Sequence, residues 1–143
     1  MISEIRKKLS ANDVGATKTH QAGILVPKDT YILSFFPELD RTEKNPRMTL
    51  VMYERSNRAR WEFNFIYYNN RFFGGTRNEF RLTCMTGYLR AIDAKIDDEL
   101  VFTLDENSSF EVDICRANRV NSYTMDGDTL VLGGGWIVVT SGK

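Results

Sequence analysis

The chain has 143 residues, of which 42% are hydrophobic, 27% charged and 12% aromatic, with 19 basic and 19 acidic side chains. This is the profile of one globular domain over residues 1–143, able to bury a core without staples; long disorder and a membrane helix are excluded, and no secretory signal is expected at the charged start. The zero net charge conceals an asymmetry, since residues 1–81 hold 14 Lys and Arg against 9 Asp and Glu while residues 82–143 hold 5 against 10, a distribution that suits one basic face on an acidic domain.

In chain order, residues 10–23 are polar and glycine-spaced and read as a loop or loose hairpin. Ile24-Leu25-Val26 is a buried strand stopped by Pro27. Asp29 can cap a short helix over residues 30–36, where Tyr31, Ile32, Phe35 and Phe36 fall at helical spacing and Pro37 ends the run. Met48 to Tyr53 is the next strand. Residues 59–68 alternate most clearly, with Trp61, Phe63, Phe65 and Tyr67 on one face and Arg60, Glu62, Asn64 and Ile66 on the other. Asn69-Asn70 suits the positive φ of a tight turn, and residues 71–83 read as a return strand kinked at Gly74-Gly75. A short helix is expected over 86–94. Strands follow at 100–104, 110–114, 123–125, 130–132 and 136–140, with Asp126-Gly127 as a hairpin turn. Mainly β-structure with two short helices predicts an open or closed barrel.

Few residues point to catalysis. Gly133-Gly134-Gly135 runs into a strand, not into the helix N-terminus that a phosphate loop needs. Asp126 and Asp128 fall short of a calcium loop. His20 has no Gly-x-Ser-x-Gly elbow or cysteine near it in sequence. Asp93-Ala94-Lys95 matches only the end of the carboxylate–lysine pattern of a Mg²⁺-dependent nuclease. Cys84 and Cys115, without a CxxC pair, fit a reduced intracellular protein with two half-buried thiols. No metal or cofactor is expected, and the chain alone reads as a non-catalyst.

Two segments carry polar side chains that a core would not use. One is Lys18-Thr19-His20-Gln21; the other is Thr76-Arg77-Asn78-Glu79-Phe80-Arg81. These side chains can read base edges in the major groove: arginine forks to guanine, Asn or Gln pairs with adenine, and glutamate accepts from cytosine. Lys18 and any unforked arginine would serve phosphates. The competing readings are an exposed ribbon of cross-strand charge pairs for residues 76–81, and an ordinary surface histidine for His20. A nuclease with scattered ligands and a protein-interaction barrel also stay open.

The string Leu9-Ser10-Ala11-Asn12-Asp13-Val14-Gly15-Ala16-Thr17 with His20-Gln21, and the string from Ile66 to Glu79 (IYYNNRFFGGTRNE), resemble the N-terminal effector-binding domain of EcoRII-type restriction endonucleases. Residues 95–102 (KIDDELVF) are similar to a strand of plant B-three-type transcription factor domains. The resemblance implies a seven-stranded open barrel, the DNA-binding pseudobarrel, with an N-arm at Lys18, Thr19, His20 and Gln21. Its C-arm would run over Gly75, Thr76, Arg77, Asn78, Glu79 and Arg81. It implies a monomer that binds double-stranded DNA at CCWGG without cutting, in the bacterial cytoplasm and away from membranes. In type IIE enzymes, effector DNA held here regulates a separate nuclease domain. A chain of this length has no room for both modules and reads as the isolated effector domain. Gly75 and Phe80 stand where the family arm has lysines, and Leu25 where a tyrosine follows the N-arm, so affinity should suffer more than the base code.

Overall fold

A computed structural model describes residues 2–15, 23–117, 129–131 and 135–140. Among these, nine strands form one sheet: β1 (Ile2–Lys8), β2 (Ile24–Val26), β3 (Arg47–Glu54), β4 (Arg60–Tyr68), β5 (Glu79–Thr83), β6 (Glu99–Leu104), β7 (Phe110–Cys115), β8 (Thr129–Val131) and β9 (Trp136–Thr140). Their order is β2-β5-β4-β3-β7-β6-β1-β9-β8, with β3 and β7 parallel and every other pair antiparallel. The short helices are α1 (Thr30–Leu33) and α2 (Thr86–Ala91). This is the expected mainly-β open barrel, with nine strands rather than seven.

The sheet curls until its ends meet. β2 is an edge strand, so one side of its backbone lacks a ladder partner. The Trp136 indole N–H, on β9, donates to the Leu25 carbonyl at 3.0 Å and caps that edge. Trp136 is itself fully buried, so its ring fills the core while its one donor closes the barrel.

The core follows from β4. Phe63, Phe65 and Tyr67 point inward, as their alternation predicts. Phe36 stacks on Phe65 at 4.4 Å, and Phe80 stacks on Tyr67 at 4.1 Å with the rings nearly parallel. Asp29 caps α1 through the N–H groups of Tyr31 and Ile32, but the helix ends at Leu33; Phe35 and Phe36 lie in the turn beyond it. α2 likewise stops at Ala91, short of residue 94, and Asp93 adopts a positive φ just past it.

Three expectations change. The first is β1, which sequence alternation hid because Lys7 takes a core-facing slot between Ile5 and Leu9. Its ammonium is buried, pairs with Asp13 at 3.1 Å and donates to the Lys8 carbonyl at 2.8 Å. The second is the turn at residues 69–70. Asn69 has φ −109, a 3-10 helix (Asn70–Phe73) follows, and the positive φ falls on Gly74, so the return strand starts only at Glu79. The third is Cys84, which is exposed and not half-buried; Cys115 is half-buried, and both thiols are free. The strand at 123–125 and the turn at Asp126-Gly127 lie outside the described residues.

On the far side of the barrel, buried Glu54 accepts from the Tyr88 hydroxyl and from the Ser56 hydroxyl, the latter at 2.8 Å. Burial raises the neighbouring Asp113 carboxyl above its ordinary value; the Ile114 N–H pulls it partly back, and Glu54 adds to the rise. The folded chain therefore holds this proton more tightly than the unfolded chain. Its stabilising effect is present in acid, fades as pH rises from the unfolded carboxylate value through the folded one, and is absent at neutrality.

Two measurements test this account. Trp136→Phe should cost about 1–3 kcal/mol in urea unfolding, because the ring stays apolar while the Leu25 carbonyl loses its donor. Asp113→Asn should melt increasingly above the parent protein as pH goes from about 3.5 to about 7; a constant offset across that range would place the titration elsewhere.

Candidate nucleic-acid interface

The outer face of β2, β5, β4 and β3 carries the residues that alternation turns away from the core. Strand register aligns Arg47, Ile66, Arg81 and Leu25 in one row across four strands, with Tyr68 beside Glu79 next to it. Thr49, Asn64 and Thr83 form a third row, in which the Thr49 hydroxyl donates to Asn64 Oδ1 at 2.8 Å. A cleft of about 440 Å³ opens over this face, lined by Arg47, Asn64, Tyr68, Arg77, Thr83 and Cys84 among others. Of the opposite-face residues, Asn64 lines this cleft, while Arg60 and Glu62 pair with each other in solvent beyond it.

Lys18, Thr19, His20 and Gln21 lie outside the described residues. The segment that carries them is bracketed by two fixed points. On its N-terminal side, Asp13 accepts from the Ser10 N–H at 2.9 Å, and the Ser10 hydroxyl accepts from the Asp13 N–H at 3.2 Å. On its C-terminal side, Gly23 has φ +89, and a Cβ there would lie 2.6 Å from the Leu82 carbonyl oxygen. Only glycine lets the chain press this closely onto β5 while turning into β2.

Gly75, Thr76, Arg77, Asn78, Glu79 and Arg81 lie together at the start of β5, and their order along the ribbon is set by hydrogen bonds. Glu79 Oε2 accepts from Arg77 at 3.3 Å and, more closely, from Arg81. Partial burial alone would raise the Glu79 carboxyl, but hydrogen bonds and charge from Arg81, then Arg77, outweigh it and hold it below the ordinary glutamate value. The Arg77 guanidinium also lies over the Tyr68 ring, 3.8 Å from its centre. Arg81 reaches across the β2–β5 pair and donates to the Gly23 carbonyl at 3.1 Å. One side chain of the second segment therefore ties down the root of the first.

Asn78 is engaged otherwise. Its Oδ1 accepts from the Tyr67 hydroxyl at 2.6 Å, which leaves its amide N–H groups as the free edge, and its backbone carbonyl accepts from Lys28 at 3.1 Å. Phe80 faces inward, 4% exposed, with the Arg41 guanidinium 5.5 Å from its ring centre. A phenylalanine at this position therefore belongs to the core, and of the three departures it is Gly75 and Leu25, both exposed, that change the outward surface. Thr76 is exposed.

Sequence reasoning missed Arg47, Tyr68 and Lys28. Tyr68 continues the even-numbered series of β4, a signal that was present; Arg47 and Lys28 each follow a proline, where no periodicity marks a face. Asp93 and Lys95 pair with each other at 3.1 Å on an exposed turn, and among the described residues no group of three or more His, Cys, Asp or Glu is placed to hold a metal. No helix among the described residues is long and apolar enough to cross a membrane.

Residues 2–118 match the family described as restriction endonuclease EcoRII, N-terminal. The chain belongs to the EcoRII N-terminal family. Within it, the type II restriction enzyme EcoRII of Escherichia coli is 38% identical over 106 residues, which is 65% of this chain and 26% of that enzyme. The chain thus matches about a quarter of the length of that relative. Among solved structures, the Arabidopsis FUS3–DNA complex aligns with a TM-score of 0.61 at 18% identity, covering 79% of this chain and 96% of that one. The B3 domain of the UbaLAI restriction endonuclease, solved with cognate DNA, aligns with a TM-score of 0.50 at 21% identity, covering 78% and 66%. At these identities the two structures show a shared fold, the pseudobarrel, for this member of the EcoRII N-terminal family.

The arginine–glutamate cluster makes a direct prediction. Titration followed by side-chain carboxyl NMR should place Glu79 below an ordinary glutamate, and Arg81→Leu should move it upward; an unchanged titration would mean that the Arg81 contact is absent in solution.

Proposed function

We propose that this domain binds double-stranded DNA in a sequence-specific way, at CCWGG, as the regulatory effector module of an EcoRII-like restriction endonuclease. One observation carries the reading: Arg81 fastens the root of the 16–22 segment to the ribbon that displays Arg77, Glu79 and Arg81 itself, so both base-reading segments leave one short edge of the sheet. That juxtaposition suits two arms entering adjacent parts of a major groove, with Lys18, Thr19, His20 and Gln21 on one and Gly75 through Glu79 on the other. The DNA in the FUS3 and UbaLAI structures supports it, as does the family of the EcoRII relative.

In this reading the domain is a monomer that holds one duplex and needs no cofactor. A separate nuclease domain does the cutting, and the setting is the cytoplasm of a bacterium. The Glu79 carboxylate holds both arginines before DNA arrives, and on binding it can turn to a cytosine amino group while Arg77 turns to a guanine and Arg81 keeps its hold on Gly23. Tyr68 supports Arg77 from behind.

The test is a gel-shift titration at fixed moderate salt without Mg²⁺, comparing a duplex that holds one CCWGG with the same duplex changed at an outer base pair. A preference of a hundredfold or more, about 2.7 kcal/mol, is expected; equal, salt-sensitive binding to both would overturn the target, and binding to neither would overturn the DNA reading. Arg77→Ala and Glu79→Ala should each cost roughly 1–3 kcal/mol with the cognate duplex and relax selection at one base pair. Plasmid incubated with the domain and Mg²⁺ should stay uncut.

A further inference from the structure

Resting on that reading, we propose that Asn70, which lies outside both arms, is the positioning residue of the C-arm, and that Gly75 is the gap its side chain requires. The 3-10 helix ends in a closed loop tied at three places. The Gly75 N–H donates to the Asn70 carbonyl at 2.7 Å, and the Arg71 N–H donates to the Arg77 carbonyl at 2.9 Å. The third tie is the Asn70 side chain, whose Oδ1 accepts the Arg77 N–H at 2.7 Å. Asn70 therefore fixes the backbone of the very residue whose guanidinium is laid on Tyr68 and aimed at Glu79.

The space for this contact is specific. A Cβ on Gly75 would lie 2.7 Å from both Cγ and Oδ1 of Asn70, closer than real side chains approach. Any other residue at 75 must push the Asn70 amide aside, and moving it loosens its hold on the Arg77 N–H. A lysine there would add a cation and lose the tie, so this chain exchanges one phosphate contact for a preset arm. Asn69 does a separate job: it is buried, accepts from the Asn45 N–H at 2.7 Å and donates to the Glu43 carbonyl at 2.8 Å, so it holds the 41–45 loop and leaves the arm to Asn70.

The experiment is a double-mutant cycle on Asn70→Ala and Gly75→Ala. Discrimination between the cognate and the changed duplex should fall by roughly fivefold to tenfold in each single variant, the ratio that loss of one hydrogen bond gives. The double variant should be no worse than either one, because the second change then removes nothing. The salt slope of binding should stay the same in Asn70→Ala, since Asn70 carries no charge. Asn70→Asp keeps the acceptor oxygen and should restore the discrimination ratio. Hydrogen exchange without DNA gives the readout that is independent of the target: the Arg77 amide should lose protection in Asn70→Ala, with the β4 and β5 amides unchanged. Additive losses in the cycle, or a protected Arg77 amide in Asn70→Ala, would overturn the proposal. A parent protein with no preference between the duplexes would overturn the functional reading instead, while the exchange result would still decide the role of Asn70.

Discussion

A single indole hydrogen bond sets the frame within which the site is built. β2 has three residues, too few to hold an edge by its own ladder, and it is the strand from which the 16–22 segment departs. By donating to the Leu25 carbonyl, Trp136 joins the end of the sheet that carries the site to the end built from β1, β8 and β9. The open barrel is thereby closed on its weakest strand. Gly23, Leu25 and Arg81 then keep fixed relations to one another, and the row Arg47–Ile66–Arg81–Leu25 becomes one surface.

On that surface, part of the positive charge is met before any ligand is present. Glu79 lies between two arginines, and one of them is further occupied by a backbone carbonyl. This explains how a domain of zero net charge can present cations without repelling itself open. It also separates two quantities that are often read together. Such a face gains little long-range attraction from its arginines, and gains its selectivity from how rigidly they are held.

Much of this was legible in the sequence. The alternation of Trp61, Phe63, Phe65 and Tyr67 marks β4 and the inward face, and Asp29 marks the start of α1. The polar string from Thr76 to Arg81 stood out because it places Arg, Asn and Glu where a core needs none. What the sequence concealed was where a polar side chain does structural work through a partner beyond its own turn. Lys7 breaks the pattern of β1 because its charge is met by Asp13 some residues away, a pairing that no local rule reports. Asn69 and Asn70 look like a turn dipeptide, yet each amide holds a different loop through tertiary hydrogen bonds. Phe80 sits inside a charged string and still belongs to the aromatic stack. Residue type alone could not separate these cases from solvated ones; partners distant in sequence decide them.

The place of β1 in the sheet has a consequence for how the molecule is made. The first strand lies between β6 and β9, so one of its neighbours is made more than a hundred residues after it. Until residues 136–140 emerge from the ribosome, β1 keeps one bare edge and β2 has no indole to cap it. The parallel pairing of β3 with β7 likewise waits for a loop of more than fifty residues to close, which makes early folding slow. Birth of this barrel is therefore all-or-none: its opening residues stay a half-made sheet, exposed to wrong partners, until β9 has been made.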